Sequence, residues 1–419
     1  MNAVDAAPAG SAHPRLALFD AWGVELEYML VSQQSLNVLP ICDQLLAREA
    51  GLLTADVHRG AIDWSNELVL HVVELKTARP APRLQGLAAA FMAEVRHINR
   101  LLQPLHARLM PSAMHPWMDP FREMQLWPHD SSVVYEAFNR IFDCRGHGWA
   151  NLQSVHLNLP FRDDDEFARL HAAVRLVLPL LPALAAASPV CDGRLSEHLD
   201  HRLHVYRSNS GRFPSITGQI IPEQAWSESE YQQRILQPMY ADIAPHDPDG
   251  VLQDEYLNAR GAIARFGRGS IEIRVIDIQE CPFADLAVLQ AAAALTRALV
   301  EERWCSLADL QAIPTEPLAD LFNRAVTSAE DTVLTDPELL RLLGCPPHPQ
   351  TLRQLWRTLD RRLQPDMESP VRAAFEHILE QGTLASRMRR RLAADSPPQA
   401  LHQLAAELCE CLDSGRQLS

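Results

Sequence analysis

Four short stretches of this chain each place residues capable of chemistry on one side of an extended backbone. In residues 22–32, Glu25 and Glu27 share a face opposite Trp22, Val24, Leu26, Tyr28 and Leu30, because successive side chains of a strand point to opposite sides. Residues 68–77 set Glu74 and Lys76 against Val73 and Leu75, and residues 152–159 set Ser154, His156 and Asn158 against Gln153, Val155, Leu157 and Leu159. In residues 270–278, Glu272 and Arg274 lie opposite Ile271, Ile273 and Val275. Gathered in one sheet, these sets form one polar wall. Like charges about 4 Å apart repel by roughly 4 kcal/mol at an effective dielectric of about 20. Glu25, Glu27, Glu74 and Glu272 therefore need protons, ion pairs or divalent cations, and Lys76 with Arg274 leaves the set still negative. Carboxylate oxygens with one imidazole suit Mg²⁺ or Mn²⁺ better than a thiolate-bound metal. Mg²⁺ held this way is commonly completed by substrate phosphates, which points to nucleoside triphosphate chemistry.

Each pair alone has a plainer reading. Two glutamates at i, i+2 are commonly a solvated strand face, a single histidine more often packs than ligates, and Glu74 with Lys76 makes a same-face ion pair. The joint occurrence of four sets is what favours a site. Arg260, Arg265, Arg268 and Arg274 add four guanidinium groups within fifteen residues, a candidate clamp for phosphate or carboxylate oxygens, with surface arginines on a hairpin as the alternative. Gly267-Arg268-Gly269 reads as the turn of that hairpin, joining residues 262–266 to 270–278. Neither GxxxxGK[ST] nor a helix-opening GxGxxG occurs, so a Walker-type or Rossmann site is unsupported. Residues 114–117 and 202–206 mix polar groups with aromatics, as pocket linings and ordinary packing both do. Cys281 reads as a small buried residue and the pair Cys409 and Cys411 as inert.

The elements that must position these groups are read from periodicity. Residues 37–49, 84–105, 131–144 and 163–187 read as helices, the last broken near Pro179 and Pro182. After Pro282 the pattern is helix, turn, helix, over residues 283–302, 338–343, 349–363, 371–381 and 398–412. This predicts an α+β body followed by an α-helical C-terminal region. The 419 residues carry 38 Lys and Arg against 53 Asp and Glu, a net charge of −15 that disfavours nucleic acid and anionic membranes as partners. The eight cysteines lack zinc-site spacing and read as reduced thiols. The apolar runs at 174–187 and 288–300 are interrupted and short of the roughly 20 residues a bilayer span needs. With no leader evident in residues 1–14, a cytoplasmic protein with no membrane segment is expected.

The strand motifs carry a resemblance. GVELEYML at 23–30, HVVELKT at 71–77, MHPW at 114–117, SVHLNLPF at 154–161, FPSITGQIIPE at 213–223 and NARGAIARFGRGSIEIRVIDIQECP at 258–282 resemble, in this order, the glutamate-cysteine ligase family, in particular its second bacterial group of carboxylate-amine ligases. The likeness runs from about residue 20 to 300. It implies a glutamine-synthetase-like fold: a curved, mainly antiparallel sheet whose concave face binds ATP and divalent metal, wrapped by helices. It further implies Glu25, Glu27, Glu74, His156 and Glu272 as metal ligands and Glu272 with Arg274 as the catalytic E-x-R pair. Arg265 and Arg274 are then nucleotide-binding, and Arg202, Tyr206 and Arg260 substrate-binding. Glu67 is a further acidic candidate, although its parity puts it opposite Glu74. The implied activity is ATP- and Mg²⁺-dependent formation of an amide or γ-glutamyl bond through an acyl phosphate, from small-molecule carboxylate and amine substrates. The competing readings are a catalytically reduced nucleotide-binding or partner-binding protein, and a guanidino-type kinase on the same fold. The expected organisation is a flexible tail at 1–15, a catalytic domain at 16–304 and a helical region at 305–419 packed on it. A homodimer, or a protein partner on the C-terminal helices, is compatible with it.

Overall fold

The computed structural model describes residues 15–393 and 396–419, so the tail expected over 1–15 lies, Arg15 apart, outside the described residues. Eight strands form the main sheet: β1 Gly23–Ser32, β2 Asp56–Val57, β3 Ile62–Asn66, β4 Val72–Thr77, β5 Ala107–Met110, β6 Ser154–Pro160, β7 Ala262–Arg265 and β8 Ser270–Asp277. Their order is β2-β3-β4-β1-β6-β8-β7, with β5 on the distal half of β1, and every pairing is antiparallel. The sheet is open. Its register brings the four polar sets together: Glu25 lies opposite Lys76 on one side and His156 on the other, Glu27 opposite Glu74, and Glu272 opposite Asn158. Directly paired residues of antiparallel strands share a face, so these side chains occupy one wall.

The reverse face carries Val24, Leu26, Tyr28, Leu75, Val155, Leu157, Ile271 and Ile273, all buried. Beneath it runs the helix Pro282–Val300, apolar on nearly every side because it is enclosed by Leu87–Leu102, Asp164–Val177, Leu352–Leu363 and Ser369–Gln381. Its 19 residues are long and apolar enough to cross a membrane by composition, and 83% of that window is buried inside the protein. It starts well before the run at 288–300, since Pro282 occupies the first turn, where its missing N–H costs nothing.

Several elements differ from the periodicity reading. Strand β4 starts at Val72, and the preceding residues turn to reach β3. Strand β3 itself, IDWSN, is buried throughout with three polar side chains, so it lacks the alternation that marks a half-buried strand. Strand β5 is four residues long. The first helix begins at Cys42 because Asn37 returns to the sheet, its carbonyl accepting from Ser32 N at 2.9 Å. Three C-terminal helices went unread, Leu307–Ala312, Thr315–Ser328 and Leu384–Arg391. One continuous core runs from Trp22 to Leu412 through the sheet, the body helices and the C-terminal helices.

Candidate active site

The wall is built by β1, β4, β6 and β8. His156 stands at its centre. Its Nδ1 lies 2.7 Å from Glu25 Oε2 and its Nε2 3.0 Å from Ser154 Oγ, with Glu27 at 3.8 Å and Glu272 at 3.9 Å. Ser154 fixes Glu27, donating its N–H at 2.6 Å and its hydroxyl at 2.8 Å to Oε2. Asn158 donates to Glu25 Oε1 at 3.1 Å, and Ser65 of β3 donates to Glu74 at 2.9 Å. Lys76 bridges Glu74 at 3.6 Å and Asp56 at 3.2 Å. Glu272 is clamped from both sides: Arg274 donates to Oε1 from Nε at 3.0 Å and Nη2 at 2.5 Å, and Arg265 donates to Oε2 at 3.1 Å. Close approach of β1 to β6 requires Gly23, since a Cβ there would lie 2.9 Å from Asn158 Cβ.

Burial opposes charge throughout this wall, and the partners decide which groups stay ionised. For Glu25 burial pulls upward, but the His156 hydrogen bond together with the charges of His156 and Lys76 outweighs it and holds the carboxyl below its usual range. For Glu272 burial is overcome by Arg274 and then Arg265, which push its pKa strongly down. Glu74 lacks a guanidinium, so burial, reinforced by Glu25, raises it. His156 is raised: burial alone would lower it, but the Glu25 hydrogen bond and the surrounding carboxylates prevail. Glu25, His156 and Glu272 offer ligand atoms within 4.8 Å of one another, as do Glu27, Glu74 and His156. Oxygen donors in this arrangement fit a hard divalent cation such as Mg²⁺ or Mn²⁺. This fit rests on donor chemistry and spacing.

Over the Glu27 end of the wall lies a cavity of about 110 Å³. Glu27, Ser154, His156 and Arg274 form its floor; Arg202, Tyr206 and Glu67 line it. Arg202 is already engaged, its Nε bonded to Asp277 and its terminal nitrogens 3.5 Å from the Arg274 carbonyl. The Tyr206 hydroxyl faces the Arg274 guanidinium and makes no hydrogen bond of ordinary geometry among the described residues. Arg260 is not part of this lining. Its guanidinium donates to Glu223 at 2.5 and 2.7 Å and to the Ser215 carbonyl at 3.1 Å, on the far side of the segment that carries Asn258 and Ala259. Glu67 does enter the cavity, because the chain turns between Asn66 and Val72 and strand parity does not carry across. Asp277 was not singled out by the sequence reading. A register shift between Ile273 and Ile276 returns it to the polar side, opposite Ser154.

A second group of ligand-type atoms lies elsewhere. His147, Cys191 and Asp192 approach within 4.8 Å of one another. Asn151 decides what they do: its Oδ1 accepts from His115 N at 2.6 Å and its Nδ2 donates to His115 O at 3.0 Å, which orients the amide. The same Nδ2 then donates to His147 Nδ1 at 3.0 Å, so the imidazole proton sits on Nε2 and is donated to Asp192 at 3.1 Å. The trio is thus joined by hydrogen bonds, and a cation there would have to displace the Nε2 proton. The trio clamps the hairpin of Val190–Cys191 and Arg194–Leu195, whose turn residues Asp192 and Gly193 both have positive φ, 50° and 71°. The other cysteines are buried, Cys281 with its thiol pushed up by burial, and Cys409 and Cys411 raised by burial to about 12 and about 11.

The open antiparallel sheet backed by helices resembles in fold a solved glutamate-cysteine ligase. The crystal structure of that enzyme from Francisella tularensis in complex with AMP matches with a TM-score of 0.59 at 12% identity, over 96% of this chain and 90% of that one. A bifunctional glutathione synthetase from Pasteurella multocida matches at 0.57 with 15% identity, over 95% of this chain and 52% of that one. At these identities the likeness is one of fold. Residues 21–410 match the family described as Glutamate-cysteine ligase family 2 (GCS2), and the chain belongs to that family. An uncharacterized protein of Archaeoglobus fulgidus is 33% identical over 321 residues, 77% of this chain and 83% of its own length. A putative glutamate-cysteine ligase 2 of Streptomyces coelicolor is 30% identical over 238 residues, 56% of this chain and 54% of that protein, so the match spans about half of that relative. The mixed α+β fold and the family resemblance read from the strand motifs are both borne out. Membership places the chain among carboxylate-amine ligases, which join an acid to an amine through an amide bond.

Proposed function

We propose that this protein is an ATP- and Mg²⁺-dependent carboxylate-amine ligase that forms an amide through an acyl phosphate, releasing ADP and phosphate. The observation that carries this reading is the pair of ligand clusters, Glu25–His156–Glu272 and Glu27–Glu74–His156, held side by side on one wall. Divalent cations bound there would neutralise charge on the transferring phosphoryl group. The chain's own part is positioning and electrostatics. Ser154 and Asn158 orient Glu27 and Glu25 as ligands, while Arg265 and Arg274 keep Glu272 ionised and present guanidinium charge toward a bound triphosphate. Phosphorylation turns a carboxylate, which resists attack by an amine, into an anhydride from which phosphate leaves readily. His156 is assigned as ligand.

The test is a coupled measurement of ADP and phosphate over a panel of acids and amines. We expect ADP release that needs both an acid and an amine, with equal phosphate and with amide product by mass spectrometry. ADP without free phosphate would instead identify a kinase, and MgATP binding without turnover on any pair would identify a nucleotide-binding protein.

A further inference from the structure

The end of β8 carries a buried charge network that the ligase reading leaves without a task. Past the register shift, Asp277 is fully buried on the polar side. Its Oδ2 accepts from Ala187 N at 2.8 Å and from Ser188 Oγ at 2.9 Å, and its Oδ1 accepts from Arg202 Nε. Ser188 Oγ accepts in turn from Arg202 N at 3.0 Å. Asp277 thus ties segment 187–188 and the short helix His201–Tyr206 to the sheet. A guanidinium has five N–H donors, and Asp277 takes the one on Nε. The four on the terminal nitrogens of Arg202 share one acceptor among the described residues, the Arg274 carbonyl. It stands 3.5 Å from each nitrogen, well beyond the usual distance of about 2.9–3.0 Å. Arg202 lines the cavity together with the neutral polar groups of Tyr206, Asn209, Ser210 and Asn258. A planar fork with donors to spare, in such company, matches a carboxylate. Burial would lower the Arg202 pKa, but the charge of Asp277, followed by that of Asp200, raises it. Without Asp277 the guanidinium would be a buried cation lacking its nearest counter-charge.

We propose that Asp277 is a positioning residue of the acid site: by holding Arg202 at Nε, it aims the terminal nitrogens at a carboxylate of the acid substrate. This rests on the ligase reading above and adds the residue that acts behind Arg202. Asp277 does not touch the acid; its effect passes through the guanidinium. A fork fixed in advance avoids ordering a long side chain at each encounter, so the effect falls on the acid and not on ATP.

Hydroxylamine serves as a generic amine, trapping the acyl group as a hydroxamate that is read alongside ADP, with glutamate, acetate and 3-phenylpropionate as the acids. For the acid used best, Asp277→Asn keeps the shape and removes the charge. It is expected to raise KM for that acid by about tenfold or more, the scale of a hydrogen bond to a charged group, with KM for MgATP within about twofold. Arg202→Ala is expected to raise KM for the acid at least as much, and the double variant no more than Arg202→Ala alone, because Asp277 acts through Arg202. A mere staple of helix to sheet would lower the melting temperature of Asp277→Asn while leaving KM for the acid unchanged or shifting both KM values alike. Either result would overturn the proposal, as would additive effects in the double variant. If Asp277→Asn does not fold, Ser188→Ala decides, since it removes one donor to Asp277 and keeps the charge. KM for the acid should then rise by about threefold, the scale of one hydrogen bond, and an unchanged value would overturn the proposal. If no acid yields hydroxamate, the ligase reading fails, and calorimetry of the same three acids with MgADP reads the site. Acid binding weakened about tenfold by Asp277→Asn, and no further by the double variant than by Arg202→Ala, would support the positioning role. Binding indifferent to Asp277, or no binding of any of the three, would overturn it.

Discussion

Glu272 is the residue on which the electrostatics of the wall turn. Two guanidinium groups hold it ionised despite its burial, and in return it is the counter-charge that keeps Arg265 and Arg274 in place. Glu272→Gln keeps the shape and one acceptor but removes the charge. ADP release should fall by about 10²–10³-fold, the scale of losing one preorganised electrostatic partner, while the far-UV circular dichroism is retained. Near-normal turnover in that variant would take Glu272 out of the machinery. At this scale much was legible: Glu25, Glu27, Glu74, His156 and Glu272 follow from side-chain alternation in strands that register opposite one another. What alternation could not deliver is instructive. Asp277 is hidden by a register shift and Glu67 by a turn, and both escape any rule that counts in twos. That Arg202 is spent on Asp277 is invisible without coordinates, because the two residues are 75 apart in the chain.

Among elements, the approach of β1 to β6 determines whether Glu25 and His156 meet. Gly23 sits opposite Asn158, the residue that steadies Glu25, and an added Cβ would press on Asn158 Cβ, which has no flexible end to swing aside. The two strands would have to part. Gly23→Ala should destabilise the protein by about 1–3 kcal/mol, as overpacking usually does, and should reduce activity beyond its loss of folded protein. Thermal melting together with kcat/KM corrected for folded fraction checks this; an unaltered melting temperature would mean the strands tolerate a methyl group there. Strands β3 and β5 were not readable for opposite reasons. β3 is enclosed on both faces while carrying Asp63, Ser65 and Asn66, and β5 is too short for any period to register. Strands with one polar face and one apolar face were the readable ones, and they are the ones that carry the candidate ligands.

For the molecule as a whole, the C-terminal helices share the core beneath the sheet, and Arg387 reaches Glu280 at the end of β8 in a fully buried ion pair at 2.5 Å. A core this continuous encloses three histidines that contribute to its pH dependence. Burial lowers His71 and His115 to about 4 and His171 to about 3, from an ordinary 6.5. Each has a single backbone carbonyl partner, at Ala150, Leu36 and Ala225 respectively. A second proton finds no acceptor among the described residues: His71 Nδ1 and His171 Nε2 have no partner there, and His115 Nδ1 accepts from Trp117 N at 3.3 Å. Between pH 6.5 and about 4 the unfolded chain therefore binds protons that the folded one refuses, so stability falls as pH falls through that window. His156 works in the opposite sense, its raised folded value adding stability below 6.5, and so do the buried carboxyls Glu67, Glu74, Asp200 and Asp285, which burial raises so that the fold holds protons the unfolded chain has released. At pH 4.5 each buried histidine withdraws on the order of 2–3 kcal/mol. The histidine share is read by difference: relative to the unaltered protein, His171→Gln, which retains a side-chain donor for the Ala225 carbonyl, should gain in melting temperature progressively as pH falls from 7 to 4.5. A variant whose pH profile runs parallel to that of the unaltered protein would mean that His171 takes up a proton inside the fold after all.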